Sequence, residues 1–354
     1  MIDVYISGPV ELNIIIQVIY LLNIFLKFIK LFPPEFSHVL ALKCLDVAYK
    51  TGLLKLLFPQ PKTTNVNFVG MKLSNKLGTA AGLDKNGDYI DCLGALGFGF
   101  LEIGTVTPLP QSGNKKPRVF RVRDELAIIN RLGFNNKGVD YLVKNLKQKK
   151  YKGIVGVNIG ANKQSKEKNR IEDYLICIRK VHKFADYITV NISSPNTKNL
   201  RDLHSSKNMD ELIEKINIEI KKLKISIPIF IKVSPDETKE TLKYLVDKII
   251  NSSLEGVIAT NTTVDKNALK QKKYHAYNGG VSGSPLHNKS NEAVSYIRSL
   301  SQTIPIIGVG GVLTRNDYES KINAGANVVQ IYSGLIINGP SIILNILKKN
   351  KRAS

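Results

Sequence analysis

The sequence predicts an α/β fold, namely a (β/α)8 TIM barrel with an N-terminal helical extension. Eight short apolar runs lie between residues 77 and 334, and their polarity does not alternate, as expected for strands buried on both faces of a parallel sheet. Segments with helical periodicity separate most of these runs. The chain of 354 residues is long enough for one such barrel and an extension. We therefore expect a helical extension over residues 1–52 and a barrel over residues 53–354.

The predicted strands are rich in isoleucine and valine. In chain order they cover residues 77–82, 100–107, 153–160, 187–197, 228–235, 256–263, 305–312 and 328–334. The clearest helices, with a repeat of 3.6 residues, are predicted over residues 141–149, 209–223, 238–250 and 291–300. The turn at residues 80–85, Ala-Ala-Gly-Leu-Asp-Lys, lacks the GxGxxG pattern of an open dinucleotide-binding sheet. This absence also favours the barrel.

Residues 187–197 carry the most information about function, because an apolar strand ends there in two asparagines, two serines and a threonine. Asn191 and Asn196 can each donate and accept hydrogen bonds, and Ser194 is a potential proton acceptor. Pro195 holds the residue before it extended. An ordinary turn at a strand end has a similar composition and is the alternative for this segment alone.

Polar residues recur at the other predicted strand ends, where the chemistry of such barrels gathers. Gly310 and Gly311 follow the seventh strand, where glycine backbone N–H groups often bind phosphate; a plain turn is the alternative. Lys85 and Lys232 would stabilise a delocalised anion such as a reduced flavin ring, unless they simply reach solvent. The remaining strand-end residues are Thr105, Asn158, Thr260, Asn261, Thr262, Tyr332 and Ser333.

Six motifs in this order closely resemble those of the quinone-dependent (class 2) dihydroorotate dehydrogenase family. They lie at residues 80–85, 102–107, 130–136, 191–197, 259–263 and 330–334, and the resemblance covers roughly residues 25–345. It implies an FMN-dependent oxidation of (S)-dihydroorotate to orotate in the biosynthesis of UMP, with a membrane quinone as electron acceptor. It also implies one FMN per chain.

The resemblance assigns Ser194 as the base that removes a proton from dihydroorotate. Soluble relatives carry cysteine at this position, whereas the quinone-using class carries serine. Because a serine hydroxyl is a poor base, we expect the proton to pass onward through Thr197 or a water while Phe134 excludes solvent. Cys44, Cys92 and Cys177 lie outside the motifs and form no CxxC pair, so we expect neither a thiol base nor a metal site.

The resemblance also implies two sets of binding residues. Those expected at the substrate are Lys85, Asn130, Arg131, Leu132, Gly133, Phe134, Asn191, Asn196, Asn261 and Thr262. Those expected at FMN are Ala80, Ala81, Gly82, Lys85, Thr105, Asn158, Asn191, Lys232, Thr260, Gly283, Gly310, Gly311, Tyr332 and Ser333. Residues 198–208 are polar, and we expect either a mobile lid or a plain surface loop there.

Residues 12–32 predict a helix whose polar residues fall within an arc of roughly 140° at about 100° per residue. This geometry favours a helix lying in a membrane surface, and a single membrane span is the alternative. With a second helix over residues 34–51, the extension resembles the quinone tunnel of the family, where His38, Arg121 and Tyr332 match polar positions. We expect a monomeric peripheral membrane protein on the cytoplasmic face of a bacterial inner membrane, or alternatively on the mitochondrial inner membrane.

The formal net charge of +22 does not by itself identify a partner. Only ten of the 51 basic residues are arginine, and the lysines are spread along the whole chain, so we expect no nucleic-acid partner. Two other functions stay open at this point. A flavin-dependent RNA reductase would need a cysteine acid and an RNA-binding domain, and a catalytically silent membrane scaffold would not need the strand-end polar residues to converge.

Overall fold

The computed structural model describes residues 28–165, 167–194 and 206–348. In chain order, the helices and strands are α1 (Pro34–Lys50), α2 (Leu53–Leu57), β1 (Val66–Phe68), β2 (Met71–Leu73), β3 (Leu77–Thr79), α3 (Ile90–Gly94), β4 (Phe100–Val106), β5 (Val119–Val122), β6 (Ala127–Asn130), α4 (Val139–Gln148), β7 (Ile154–Ile159), α5 (Glu167–Val181), β8 (Tyr187–Asn191), α6 (Ser206–Leu223), β9 (Ile229–Val233), α7 (Lys239–Ile250), β10 (Gly256–Ala259), β11 (Gly280–Gly283), α8 (His287–Leu300), β12 (Ile306–Val309), α9 (Arg315–Asn323), β13 (Val328–Ile331), α10 (Ser333–Asn338) and α11 (Ser341–Leu347).

Eight parallel strands form a closed barrel in the order β3, β4, β7, β8, β9, β10, β12 and β13, and β13 pairs back with β3. Each strand falls inside one of the eight apolar runs, and a helix follows each strand along the chain. The predicted (β/α)8 TIM barrel is therefore confirmed. The strands lack alternation because both of their faces are covered, one by the barrel interior and the other by helices.

Local sequence explains where the barrel helices begin and which side they bury. Helix α7 starts after Thr238, whose side chain accepts a hydrogen bond from the backbone N–H of Thr241 at 3.2 Å. Its buried residues recur at helical spacing and pack into the main core: Leu242, Leu245, Val246 and Ile249. Helix α9 begins with a reciprocal capping box between Thr314 and Asp317.

Two antiparallel additions complete the barrel, and the strand pattern did not predict them. The hairpin β1–β2 lies at the amino-terminal end of the barrel, where the ring of Phe68 stacks on Phe230 at 5.9 Å. Strands β5, β6 and β11 form a separate sheet, with β6 in the centre. The β1–β2 hairpin covers the amino-terminal end of the barrel, and the three-stranded sheet lies beside its carboxyl-terminal end.

The extension packs on the same end as the three-stranded sheet. Helix α1 matches the helix predicted over residues 34–51, and it contacts both α3 and β5. The Arg118 guanidinium donates to both carboxylate oxygens of Glu35 on this helix, at 3.1 and 2.5 Å. Of the helix predicted over residues 12–32, only residues 28–32 are described. Within the described ranges, no helix combines the length and the apolar character that crossing a bilayer requires.

Candidate active site

A cleft opens at the carboxyl ends of the barrel strands, and we refer to it as the barrel cleft. Twenty of the residues predicted for FMN or substrate line it: Ala80, Ala81, Gly82, Lys85, Thr105, Asn130, Leu132, Gly133, Phe134, Asn191, Ser194, Lys232, Thr260, Asn261, Thr262, Gly283, Gly310, Gly311, Tyr332 and Ser333. The fold thus brings residues that are up to 253 positions apart in the chain to one cavity, which the (β/α)8 topology explains.

Two of the described residues that were predicted for FMN or substrate, Asn158 and Arg131, do not line the barrel cleft. Asn158 lies beneath its floor, where its Oδ1 accepts hydrogen bonds from Thr105 Oγ1 at 2.6 Å and Asn191 Nδ2 at 3.2 Å. The side chain of Arg131 turns away and donates to the backbone carbonyl of Pro117. Asn196 and Thr197 lie outside the described residues. Asn158 therefore orients groups at the cleft, and Arg131 supports the neighbouring loop.

Two lysines bring positive charge to the barrel cleft. Burial lowers the pKa of the Lys85 ammonium to about 8, although the nearby Glu35 carboxylate opposes this effect. The Lys85 ammonium donates to the backbone carbonyl of Gly82 at 3.0 Å. Burial also lowers the pKa of Lys232, which is only 5% exposed and makes no hydrogen bond with any described residue. A buried cation without a hydrogen-bond partner favours an anionic or electron-rich ligand beside it.

A buried carboxylate lies below the two lysines, at Glu102 on β4. It is 1% exposed and accepts hydrogen bonds from Asn158 at 2.8 Å and from Gln330 at 2.7 Å. Tyr187 and Thr189 donate to it as well, at 3.0 and 3.1 Å. The strand-end search missed Glu102 as a functional residue because it lies within a strand. The signal was present, since a charged residue in an otherwise apolar barrel strand needs buried partners.

Polar groups without partners face the cleft. Thr262 Oγ1 and Gln330 Oε1 are buried, and neither atom has a hydrogen-bond partner within the described part of the chain. Because an unpaired buried polar atom costs free energy, these atoms are suited to a polar ligand in the cleft. Asn261 Nδ2 is within 3.3 Å of Asn191 Oδ1, so the amides at two strand ends contact each other beside Ser194.

The ends of β12 and β13 form a cradle that only small residues can build. Gly310 and Gly311 have φ values of +123° and +72°, which favour glycine. A Cβ on Gly311 would lie 2.3 Å from the Cα of His287. The glycines, the unpaired polar atoms and Lys232, which has no hydrogen-bond partner among the described residues, together fit a ligand that carries a phosphate and an electron-rich ring.

A second cavity lies between α1, α2 and the outer side of the barrel mouth, and we refer to it as the helix cavity. Most of its lining is aliphatic, for example Leu42, Leu54 and Ile336. His38, Arg121 and Tyr332, the residues predicted for a quinone, all line it. Lys85, Leu132 and Tyr332 line both cavities and form what we term the shared wall.

The polar groups of the helix cavity are neutral or held in place. His38 Nε2 donates to the backbone carbonyl of Leu83 at 2.8 Å, and burial, with the nearby Lys85 charge, lowers the pKa of this imidazole to about 4. His38 is therefore neutral at pH 7, and its Nδ1 is an acceptor. Arg121 Nη1 donates to the carbonyls of Lys30 and Phe32, at 3.0 and 2.8 Å, and fixes the chain that enters α1.

The cysteines contribute nothing to the barrel cleft. Cys92 and Cys177 are buried, and burial raises the pKa of both thiols. Cys44 lies on α1 and lines the helix cavity. None of the three is among the residues around Ser194 that line the cleft.

Comparisons with known proteins agree with this geometry. The family model described as dihydroorotate dehydrogenase matches residues 63–352. The chain is 48% identical over 328 residues to dihydroorotate dehydrogenase (quinone) from Buchnera aphidicola, covering 91% of this chain and 97% of that protein. It is 47% identical to the protein of the same description from Acinetobacter baylyi, covering 88% of this chain and 93% of that protein.

Solved structures give the same result. The crystal structure of DHODH in complex with ferulenol from Eimeria tenella superposes with a TM-score of 0.80 at 32% identity, covering 89% of each chain. The ligand-free form from the same organism gives a TM-score of 0.79, covering 87% of this chain and 92% of that chain. The family model spans most of the chain and the relatives span nearly their full lengths, so the chain belongs to the dihydroorotate dehydrogenase family of oxidoreductases.

Proposed function

We propose that this protein oxidises dihydroorotate to orotate in the barrel cleft and delivers the electrons to a membrane quinone in the helix cavity. The single observation that carries the proposal is the shared wall of Lys85, Leu132 and Tyr332. A polar cleft suited to a flavin and a pyrimidine meets an apolar cavity suited to a quinone at these residues. A reaction confined to one substrate would need only the first of the two cavities.

FMN would occupy the part of the barrel cleft between the glycines at the end of β12 and Lys232. When bound, FMN supplies the acceptor for the hydride that leaves the substrate. The Lys232 ammonium stabilises negative charge that develops on its neighbour, and Glu102 keeps a compensating charge below it. Asn158 and Gln330 are fixed by hydrogen bonds to that carboxylate, so the floor of the cleft does not reorganise during the reaction.

The substrate would lie against the amides of Asn130, Asn191 and Asn261. Amide side chains pair with a planar ring whose edge alternates N–H and C=O groups. Thr262 Oγ1, which has no partner among the described residues, gains one from such a ring. The Lys85 ammonium, which is charged below a pH of about 8, binds the substrate carboxylate.

Ser194 would act as the base, because it follows β8 and is 5% exposed at the cleft. Its Oγ accepts the proton from the ring carbon next to the carbon that loses hydride. The hydroxyl proton must leave at the same time, and we propose that it passes onward to solvent through the hydroxyl of Thr197, which releases its own proton as it takes one up, or through a water. Phe134, at 9% exposed, covers this part of the cleft and keeps bulk water from the transfer.

The quinone would enter the helix cavity from a membrane surface. Of the described large apolar side chains that are exposed, those on the extension are concentrated within a short stretch: Phe28, Leu31, Phe36, Val39, Val47, Leu53 and Leu56. Such a surface favours contact with the interfacial region of a bilayer. Nδ1 of the neutral His38 can accept a hydrogen bond from a hydroxyl of the reduced quinone, and Arg121 keeps the entrance of α1 in place.

Anaerobic spectroscopy tests the proposal directly. The purified protein should be yellow, should bleach when dihydroorotate is added, and should regain its colour with a ubiquinone analogue. Recovery with fumarate and not with the quinone would refute the proposed acceptor, and no bleaching would refute the proposed substrate. An RNA reductase or a silent scaffold would also fail to bleach.

The proposed membrane association needs a second experiment. We expect the full-length chain to sediment with liposomes that contain quinone and to turn over faster with them than a variant that lacks residues 1–32. Water-soluble quinone analogues provide the control, because both proteins should use them at similar rates. Equal rates in liposomes would refute a role for the extension.

A further inference from the structure

A lysine that the proposed mechanism does not use lies behind the glycine cradle. Lys321 on α9 is 0% exposed. Full burial of lysine is rare unless a charged partner compensates it. Here the ammonium donates to the Ser290 hydroxyl at 2.7 Å, and no described carboxylate forms an ion pair with it. Burial lowers the pKa of Lys321 to about 7, and the charge of the Asp317 carboxylate, which lies beyond ion-pair distance, opposes this effect.

The Lys321 side chain runs beneath the end of β12. A Cβ on Gly308 would lie 2.7 Å from Lys321 Cγ, so the alkyl part of the lysine occupies the space that this glycine leaves. A Cβ on Gly310 would lie 3.0 Å from Ser290 Oγ, so this hydroxyl lies directly behind the cradle. Gly310 itself lines the barrel cleft. One hydroxyl and one glycine thus separate the ammonium from the cleft.

A chain of hydrogen bonds links the ammonium to the backbone of the cradle. Ser290 Oγ accepts from Lys321 and donates to the backbone carbonyl of Val309 at 2.6 Å. The peptide that begins with this carbonyl ends with the N–H of Gly310, and a planar peptide couples the polarity of its two ends. A cation on the carbonyl side makes the N–H a stronger donor.

Among the described residues that line the cleft, none at this end carries a positive charge. Lys85 and Lys232 are the described basic residues that line it, and they follow β3 and end β9. Both lysines therefore lie at strands other than β12 and β13, whose ends carry the glycine cradle. A phosphate dianion at the glycines would face backbone and hydroxyl donors alone, which leaves its charge uncompensated.

We propose that Lys321 supplies the positive charge of the phosphate subsite, through Ser290 and the peptide between Val309 and Gly310, and thereby makes the cleft select a flavin that carries a phosphate. This inference rests on the proposed function, since it assumes that a flavin occupies the cleft. It assigns Lys321 as a positioning residue that acts on the ligand through the backbone. In this proposal Lys321 acts on the phosphate and has no effect on the binding of the flavin ring.

Comparing FMN with riboflavin tests the inference, because the two ligands differ by the phosphate. The full-length protein would be depleted of flavin by dialysis and refilled by titration, with quenching of flavin fluorescence as the readout. In Lys321→Met, which keeps the length of the side chain, we expect FMN affinity to fall by about 10- to 100-fold and riboflavin affinity to change by less than about twofold. Lys72→Met, at an exposed residue of β2, removes the same charge and should change neither.

A second variant keeps the test decisive if Lys321→Met does not fold. Ser290→Ala retains the ammonium but removes the hydroxyl that links it to Val309, and we expect a smaller loss that is again confined to FMN. Equal losses for FMN and riboflavin, or no loss for either, would overturn the inference and leave the proposed function intact. If the unaltered protein bound neither flavin, the proposed function itself would fail.

Discussion

The barrel cleft and the helix cavity meet at the shared wall, yet they are built in different ways. The cleft draws on the ends of seven of the eight barrel strands, and hydrogen bonds such as those to Glu102 fix its polar groups before any ligand arrives. The helix cavity is larger and mostly aliphatic, and one wall is a helical hairpin that sits on the barrel. A reaction that develops charge requires polar groups that are already fixed, as in the barrel cleft. An apolar ligand such as a quinone requires only an apolar space, as in the helix cavity.

The largest effect should come from removing the proposed base in the barrel cleft. In Ser194→Ala, we expect bleaching by dihydroorotate to slow by about 10²- to 10⁴-fold, because no group remains to take the proton. Reoxidation of the reduced protein by quinone should keep its rate, since it occurs at the other cavity. Stopped-flow absorbance measures both steps. Ser295→Ala, at an exposed serine of α8, is the control. Bleaching within about threefold of normal would rule out Ser194 as the base.

Lys85 belongs to both cavities, and changing it should show which of them depends on its charge. In Lys85→Met we expect kcat/KM for dihydroorotate to fall by about 10²-fold, because the substrate carboxylate loses its cation. The quinone step should change far less.

The pH dependence of the same residue gives a sharper test. The pKa of the Lys85 ammonium is lowered to about 8, so the group is charged below that pH and neutral above it. We expect kcat/KM for dihydroorotate to fall about tenfold per pH unit above this value in the unaltered protein and to stay flat there in Lys85→Met. Identical profiles for the two proteins would contradict the assignment.

On the helix-cavity side, His38→Ala should slow reoxidation by quinone by about tenfold and leave bleaching by dihydroorotate unchanged. The variant loses a neutral imidazole that lines the cavity and donates to Leu83. His275→Ala is a matched control, because its Nε2 also donates to a backbone carbonyl, that of Leu269, and it lines neither cavity. A slower bleaching step in His38→Ala would show that the two regions are coupled more tightly than we expect.

The smallest effect should come from breaking the ion pair that holds α1 on the barrel, and we expect it to appear in stability. Glu35→Gln leaves the Arg118 guanidinium, which is 7% exposed, without its carboxylate, and we expect the free energy of unfolding to fall by about 1–3 kcal/mol. Urea unfolding of this variant and of Glu292→Gln, at an exposed glutamate, measures the difference. An equal loss in both variants would contradict a specific role for the pair.

The same ion pair should respond to acid. Burial pushes the pKa of Glu35 upward, but the hydrogen bond and charge of Arg118 outweigh it and hold the pKa below its usual value. A lowered pKa in the folded state means that the pair stabilises the protein above the pKa of the unfolded chain. That contribution is lost as pH falls through the folded value. The stability of Glu35→Gln should therefore depend less on pH in this acidic range.

The barrel could be predicted from the sequence because the composition of each strand by itself indicates a buried strand. A run such as residues 228–235 is apolar, β-branched and bounded by proline, and its burial on both faces follows from that composition. The polar residues at the strand ends could be placed together because parallel strands in a barrel share one mouth. The helix over residues 34–51 was visible from its prolines and its spacing.

The remaining features depend on contacts between distant segments. Strand β11 is four residues long and pairs with β6, and Gly283 lies opposite Ala127 far away in the chain. Nothing near residue 280 indicates that partner. Arg131 belongs to a binding motif, yet its side chain turns to the carbonyl of Pro117, a choice that depends on the loop packed beside it. The four hydrogen-bond partners of the Glu102 carboxylate come from three other strands, so its buried role could be read only from the fold.

The shared wall also shapes the steady-state kinetics. Because Lys85, Leu132 and Tyr332 separate the two cavities, dihydroorotate and quinone need never compete for the same space. Dihydroorotate and quinone can be bound at the same time, each in its own cavity. A two-site ping-pong enzyme has this arrangement. Double-reciprocal plots should then give parallel lines, and orotate should compete with dihydroorotate while leaving the binding of quinone undisturbed.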